Sequence, residues 1–185
     1  MNNPSTRTII HICGLAEVME MNLSSYDGII TIEDPTLAEP FRVKVNPEKQ
    51  LILQFNDVAD GLPDDDDHDD YGFVTIIPNL SHINSAIEFA NNCNGDGDGQ
   101  RSSLLIHCHF GISRSPAIAL AVLMSRKMNE EQAVREILEI APFCSPNQLM
   151  VRLIDERFDC SGKLVRAVED VLLADRYQHI YGGSV

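Results

Sequence analysis

The sequence predicts an α/β fold: a single central, mostly parallel sheet flanked by helices, with a helical C-terminal half. Two observations predict it. Up to His107, short β-rich runs bounded by Gly, Pro and Asp alternate with segments of helical spacing, whereas from Ser115 onward the spacing is almost entirely helical. The length agrees, since at a typical ~100 to 200 residues per domain, residues 1–185 make one domain with a proper core.

The elements follow in order. Thr8 to Cys13 is a β-rich run stopped by Gly14, after which Leu15, Val18 and Met19 fall at helical spacing. Gly28 to Ile32 reads as a second, buried strand ended by Asp34-Pro35, and Gln50 to Phe55 as a third. Phe41 to Val45 is a candidate edge strand. From Asn56 to Pro78 no periodicity appears, and a stretch beyond ~12 to 15 residues without structure is often functional, so residues 56–78 are a candidate lid. Ile83, Ala86, Ile87 and Ala90 mark a helix, a polar turn region spans Asn91 to Ser103, and Leu104 to His107 is the next strand. Helices then follow around Ile118 to Val122, from an Asn129 cap through Ile140, from Pro146-Asn147 through Phe158, and over Leu164 to Leu173.

Charge excludes some partners. The chain carries 28 acidic and 14 basic residues, and a formal charge of −14 argues against nucleic acid or an anionic membrane surface. No apolar stretch approaches the ~18 residues of a membrane span, and Met1 to Thr8 lacks the basic-then-apolar order of a secretion signal, so a cytoplasmic location is expected. The five cysteines are odd in number and form no Cys-x-x-Cys pair, which disfavours a disulfide framework or structural zinc.

The chemistry concentrates in Ile106 to Pro116, where a buried strand runs into a glycine-containing loop and then a helix with Pro116 in its first turn. Such a junction is an anion site. The backbone N–H groups of His109, Phe110, Gly111, Ile112, Ser113 and Arg114 curl around a tetrahedral phosphate, the helix N-terminus adds positive potential, and Gly111 permits the turn. Cys108 stands at the mouth of that loop as the candidate nucleophile, and Arg114 offers a planar fork for two phosphoryl oxygens.

Cys108, five intervening residues and Arg114, flanked by His107 and Ser115, resemble the signature of the cysteine-dependent tyrosine and dual-specificity phosphatases. Further matches, at Gln54 to Val58, Pro78, His82 to Ala90, Ala141-Pro142, Pro146-Asn147 and Gly162 to Leu164, resemble a compact bacterial tyrosine phosphatase family. The resemblance implies that Cys108 attacks phosphorus to give a phosphocysteine, that Arg114 holds the phosphoryl oxygens, and that Ser115 donates to the thiolate when water breaks the intermediate. It implies that His107 orients the cysteine and that Asn147 braces the loop. It also implies a general acid on the loop after the preceding strand. Asp57 occupies that place and is preferred because the strand Leu51 to Phe55 positions it, with Asp60 as the alternative. The substrate so implied is a phosphorylated protein or small phosphomonoester, and no metal or cofactor is used.

Two departures bear on substrate choice. Phe110 stands where the family usually has a small residue, and the run Asp64 to Asp70 is unusually acidic. Without a lysine in the loop, a phosphoinositide substrate is less natural than phosphotyrosine. The plainer alternative for Cys108 is a core cysteine at a strand end, which the flanking pattern disfavours. His107-Cys108-His109 lacks a second ligand pair for a metal, and Asp64 to Asp70 and Gly95 to Gly99 lack calcium-loop spacing. The main functional alternative is a phosphate-binding module with little turnover. An RNA triphosphatase would want a basic surface.

Overall fold

The computed structural model describes residues 9–37, 41–42, 46–58, 75–93 and 102–181, with side chains described as far as residue 172. Four strands form one sheet: β1 (Ile9–Gly14), β2 (Gly28–Glu33), β3 (Gln50–Gln54) and β4 (Ser103–Cys108). Their order is β1-β4-β2-β3 and every pairing is parallel. All four C-terminal ends therefore lie along one edge, where open parallel sheets place their ligands. β4 sits between β1 and β2, so the segment leaving it emerges with strand ends on both sides.

Among the described residues six α-helices accompany the sheet: α1 (Leu15–Val18), α2 (Leu80–Asn92), α3 (Arg114–Ser125), α4 (Glu130–Ile140), α5 (Gln148–Arg157) and α6 (Lys163–Tyr181). α3 is buried at every position from Arg114 to Met124, and its sequence is apolar all round, as a helix enclosed on every side requires. It packs on β4 and β1 and is surrounded by α2, α4 and α5. Alternation along β4 sorts the core. Leu104, Ile106 and Cys108 join the large cluster on the α3 side, whereas Leu105 joins Cys13, Val18 and Ile29 on the other face.

The helix starts are set by side chains at their ends. Asn79 accepts from Ser81 N at 2.9 Å while His82 Nδ1 accepts from Asn79 N at 3.1 Å, so His82 is part of a cap, and burial pushes its pKa down. Asn129 accepts from Gln132 N at 2.9 Å at the start of α4, as expected. α6 has an unanticipated cap. The carboxylate of Asp155, buried in α5, accepts from Gly162 N at 2.7 Å and from Leu164 N at 2.9 Å. The turn between the helices needs that anchor, since Asp159, Ser161 and Gly162 all have positive φ.

Several expectations are refined. The helical spacing after Gly14 yields a single turn, Phe41 and Arg42 are not in a strand, and α6 continues beyond Leu173 to Tyr181. Residues 43–45, the acidic run at 64–70 and the glycine-rich stretch at 95–99 lie outside the described residues. The candidate lid 56–78 is described only at its two ends, and these are tied together: Asn56 N donates to Ile76 O and Ile76 N to Asn56 Oδ1, both at 2.8 Å.

Candidate active site

β4 delivers Cys108 to the sheet edge, and the chain then wraps back over it before α3 begins at Arg114. The wrap depends on Gly111, whose φ is +75° and whose position would set a Cβ 2.6 Å from the carbonyl carbon of Cys13. Both the conformation and the space exclude a side chain there. The Gly111 amide donates to Cys108 Sγ at 3.3 Å, and Ser115 Oγ lies 3.3 Å from the same sulfur. Cys108 is 3% exposed, so an amide donor and a hydroxyl meet a nearly buried sulfur. Ser113 precedes α3 but does not cap it. Its hydroxyl donates instead to Asp57 Oδ1 at 2.7 Å, so no Ser113 side-chain bond competes for the first amides of α3.

Arg114 is held on one side by protein. Its Nη1 and Nη2 donate to the two carboxylate oxygens of Asp34 at 3.1 and 3.2 Å, and Nη1 also donates to Phe55 O at 3.0 Å. Nε is buried without a hydrogen-bond partner among the described residues and lies 3.8 Å from Asp57 Oδ2. A planar guanidinium fixed on its Asp34 edge presents the other edge to a phosphoryl group in one orientation. In the sequence Asp34 closes a strand within the family-like stretch Ile29 to Pro35 and is given no role of its own. The detectable signal was an acidic residue at the C-terminal end of a buried parallel strand, where catalytic partners gather.

Asp57 comes from the far end of β3. Its Oδ1 accepts from Ser113 Oγ and, at 2.8 Å, from Asn147 Nδ2, which also donates to Val58 O at 3.0 Å. Asn147 Oδ1 meanwhile caps α5 through Met150 N at 3.0 Å. The Asn147 side chain thus ties the Asp57 segment to α5, and its backbone N donates to Ser113 O at 3.2 Å. Both hydrogen bonds fall on Oδ1, and Oδ2 faces the Arg114 side. Asp60 lies outside the described residues.

His107 precedes Cys108 on β4 and is 2% exposed. Its Nε2 is 2.8 Å from Thr31 Oγ1, which accepts from Gln50 Nε2 at 2.7 Å. Burial pushes its pKa down to about 4, the Cys108 backbone partly offsetting the effect, so the ring is neutral at physiological pH. Cys13, on the neighbouring strand, is pushed up to about 12 by burial and by the charges of Glu17 and Cys108, and stays a thiol. The remaining loop side chains point away from this chamber: His109 and Phe110 are exposed and stack edge to face at 4.4 Å, and Ile112 is 45% exposed. Phe110 therefore stands at the mouth and does not fill the space over Cys108.

A groove of about 860 Å³ lies between α4 and α6, and its walls carry surface charges of both signs, Arg135, Glu139, Lys163 and Asp170 among them. The Cys108 site is distinguished by convergent donors, a fixed guanidinium and a braced carboxylate, which together suit a tetrahedral oxyanion with a nucleophile beneath it and a proton carrier above.

Comparison with known proteins places the chain in a family. Residues 65–157 match the model of the dual specificity phosphatase catalytic domain, a span that contains Cys108, Arg114 and Asn147 and begins after Asp57. The chain is 36% identical over 91 residues to tyrosine-protein phosphatase vhp-1 of Caenorhabditis elegans, covering 49% of this chain and 12% of that protein. It is 30% identical over 111 residues to protein phosphatase Slingshot homolog 3 of Homo sapiens, covering 60% of this chain and 14% of that protein. The chain thus spans only a small part of the length of these relatives. In fold it is similar to the crystal structure of DUSP15, with a TM-score of 0.56, 17% identity and coverage of 90% of this chain and 94% of that one. The chain belongs to the dual-specificity phosphatase catalytic-domain family.

Proposed function

We propose that this chain is a cysteine-dependent phosphatase that hydrolyses phosphotyrosine, admitting phosphoserine and phosphothreonine, within a single catalytic domain. The observation that carries this is that Asp57, from the segment after β3, is held against the loop that runs from Cys108 to Arg114, through Ser113 Oγ at 2.7 Å and 3.8 Å from Arg114 Nε. The Cys108 thiolate attacks phosphorus and the bond to the leaving oxygen breaks. Arg114 and the loop amides hold the three equatorial oxygens as charge spreads over them, and Asp57 gives its proton to the leaving oxygen. Water then attacks the phosphocysteine as Asp57 takes its proton back, the phosphorus–sulfur bond breaks, and Ser115 donates to the released thiolate. His107, neutral and fixed by Thr31, sets the position of the cysteine and exchanges no proton.

Family membership and the relatives named as protein phosphatases support a phosphorylated protein as substrate. A compact bacterial tyrosine phosphatase subtype is supported by the spacing from Ala141-Pro142 to Asn147 and on to Gly162-Lys163. Among the described residues no helix is long and apolar enough to cross a membrane, and we place the protein in the cytoplasm.

The test is steady-state hydrolysis of an aryl phosphate in EDTA between about pH 5 and 7, for wild type, Cys108→Ser, Asp57→Ala and Asp60→Ala. Turnover that survives EDTA, vanishes in Cys108→Ser and falls further in Asp57→Ala than in Asp60→Ala is expected. The reverse ordering transfers the acid role to Asp60. No turnover from folded, reduced wild type makes the chain a phosphate-binding module.

A further inference from the structure

Large apolar side chains left exposed are unevenly distributed. Among the described residues they are Ile9, Met19, Leu37, Phe110, Ile112 and Phe143, and all but Ile9 lie at the edge of the sheet that carries Cys108. Phe110 and Phe143 are the most exposed, at 75% and 82%. Specific bonds bring these segments together. Ser145 N donates to Ile112 O at 2.8 Å, which sets the turn holding Phe143 beside the phosphate loop, and Leu15 N donates to His109 O at 3.0 Å, which sets α1 and Met19 on its other side. Scattered exposed apolar residues are ordinary, but several around one catalytic mouth are not.

The charges at this edge point the same way. Its described cations are Arg114, paired with Asp34 and assigned above to the phosphoryl group, and Arg42, paired with Glu33 at 3.0 Å, and Glu17 lies on α1 with Glu20 just beyond it. The whole chain carries −14. Among the described residues, an acidic peptide therefore meets more anionic than cationic side chains at this edge, whereas an apolar one meets Phe110, Ile112 and Phe143. An anionic membrane surface is disfavoured by the same charge.

We propose that Phe110, Ile112 and Phe143 form an apolar subsite beside the phosphate loop that takes a hydrophobic residue flanking the phosphotyrosine of a peptide, so that apolar-flanked peptides are preferred to acidic-flanked ones. This deepens the phosphatase assignment above and rests on it. Phe110, which departs from the small residue usual at its position, is the specificity-determining side chain.

The experiment compares two phosphotyrosyl peptides differing only in their flanks, leucine and phenylalanine in one and aspartate and glutamate in the other. Both are measured on the full chain at low and high salt beside a small aryl phosphate. High salt removes most of the charge contribution and isolates the apolar one. The expected ratio of kcat/KM, apolar over acidic, remains about tenfold at high salt, the scale of one partly buried apolar contact. It falls toward one in Phe110→Ser and Phe143→Ser, each normalised to its own rate on the small aryl phosphate. Dissociation constants of the same peptides with Cys108→Ser carry the same ratio, so the subsite is tested even if wild type fails to turn over the small aryl phosphate, a result that sinks the catalytic assignment alone. A wild-type ratio near one at high salt, or a ratio that both serine variants leave unchanged, overturns the proposal. Equal peptide ratios accompanied by Phe110-dependent sedimentation with phosphatidylcholine vesicles overturn it too, and reassign the apolar rim to a lipid surface.

Discussion

Replacing Asp34 probes how the fold aims its arginine. In Asp34→Ala, Arg114 loses two charge-assisted hydrogen bonds of 3.1 and 3.2 Å and, among the described residues, keeps the bond from Nη1 to Phe55 O. A hydrogen bond to a charged group contributes ~1.5 to 3 kcal/mol when well enclosed. Here the Arg114 side chain is 5% exposed but that of Asp34 is 35% exposed, so screening lowers the yield. A loss of about 2 kcal/mol in transition-state stabilisation is a fair figure, equivalent to roughly 30-fold in kcat/KM. Asp34→Asn retains one acceptor oxygen and should lose about fivefold by the same scale. The assay is steady-state hydrolysis of a small aryl phosphate, with inhibition by inorganic phosphate measured alongside. If Asp34 orients the fork, kcat falls and phosphate binds more weakly. The opposite sign is physically available, because removing a carboxylate raises the local positive potential and draws phosphate in. A kcat/KM within twofold of wild type, or tighter phosphate with an unchanged kcat, would refute the orienting role.

Other consequences follow from the same geometry. Asp57→Asn should slow hydrolysis by ~10² to 10⁴ for a leaving group as basic as a phenolate or alkoxide and much less for an activated nitrophenolate, and equal losses on both would contradict an acid role. Asp155→Ala leaves the Gly162 and Leu164 amides unpaired at a turn with three positive φ values, so the urea midpoint should fall by the equivalent of about 3 kcal/mol with an unchanged slope. His107 supplies a pH dependence. Its folded pKa, about 4, lies below the ordinary value of 6.5, so between these values the unfolded chain binds the extra proton. Stability is fully present above about pH 6.5 and drops by up to about 3 kcal/mol as pH falls toward 4. Urea titrations of wild type and His107→Gln across that window should show the wild-type slope and its reduction in the variant, and parallel curves would exclude His107 as the cause.

What the sequence made legible were local features. The four described strands, the Asn129 cap and the strand-loop-helix around Cys108 each announce themselves within a dozen residues, through apolar runs, a capping side chain or a glycine at a required turn. Features requiring two distant segments to meet were not legible. Asp34 pairs with Arg114 across 80 residues, and Asp155 caps a helix that begins eight positions later through a turn of positive-φ residues that no short pattern anticipates. The strand order β1-β4-β2-β3 is of the same kind, because a strand buried on both faces carries no alternation to tell which neighbours it takes. Asp57 falls between the two cases. Its place after β3 was readable, whereas the Ser113 and Asn147 bonds that fix it belong to the tertiary fold.

The central claim is a covalent bond between phosphorus and the Cys108 sulfur, and the most direct measurement is acid-quenched mass spectrometry of the intact chain mixed with an aryl phosphate. The account predicts one added phosphoryl group within the first turnover, mapped to Cys108 in the digest and missing from Cys108→Ser. Rapid turnover with no adduct at the shortest quench times, or an adduct that persists in Cys108→Ser, would contradict it.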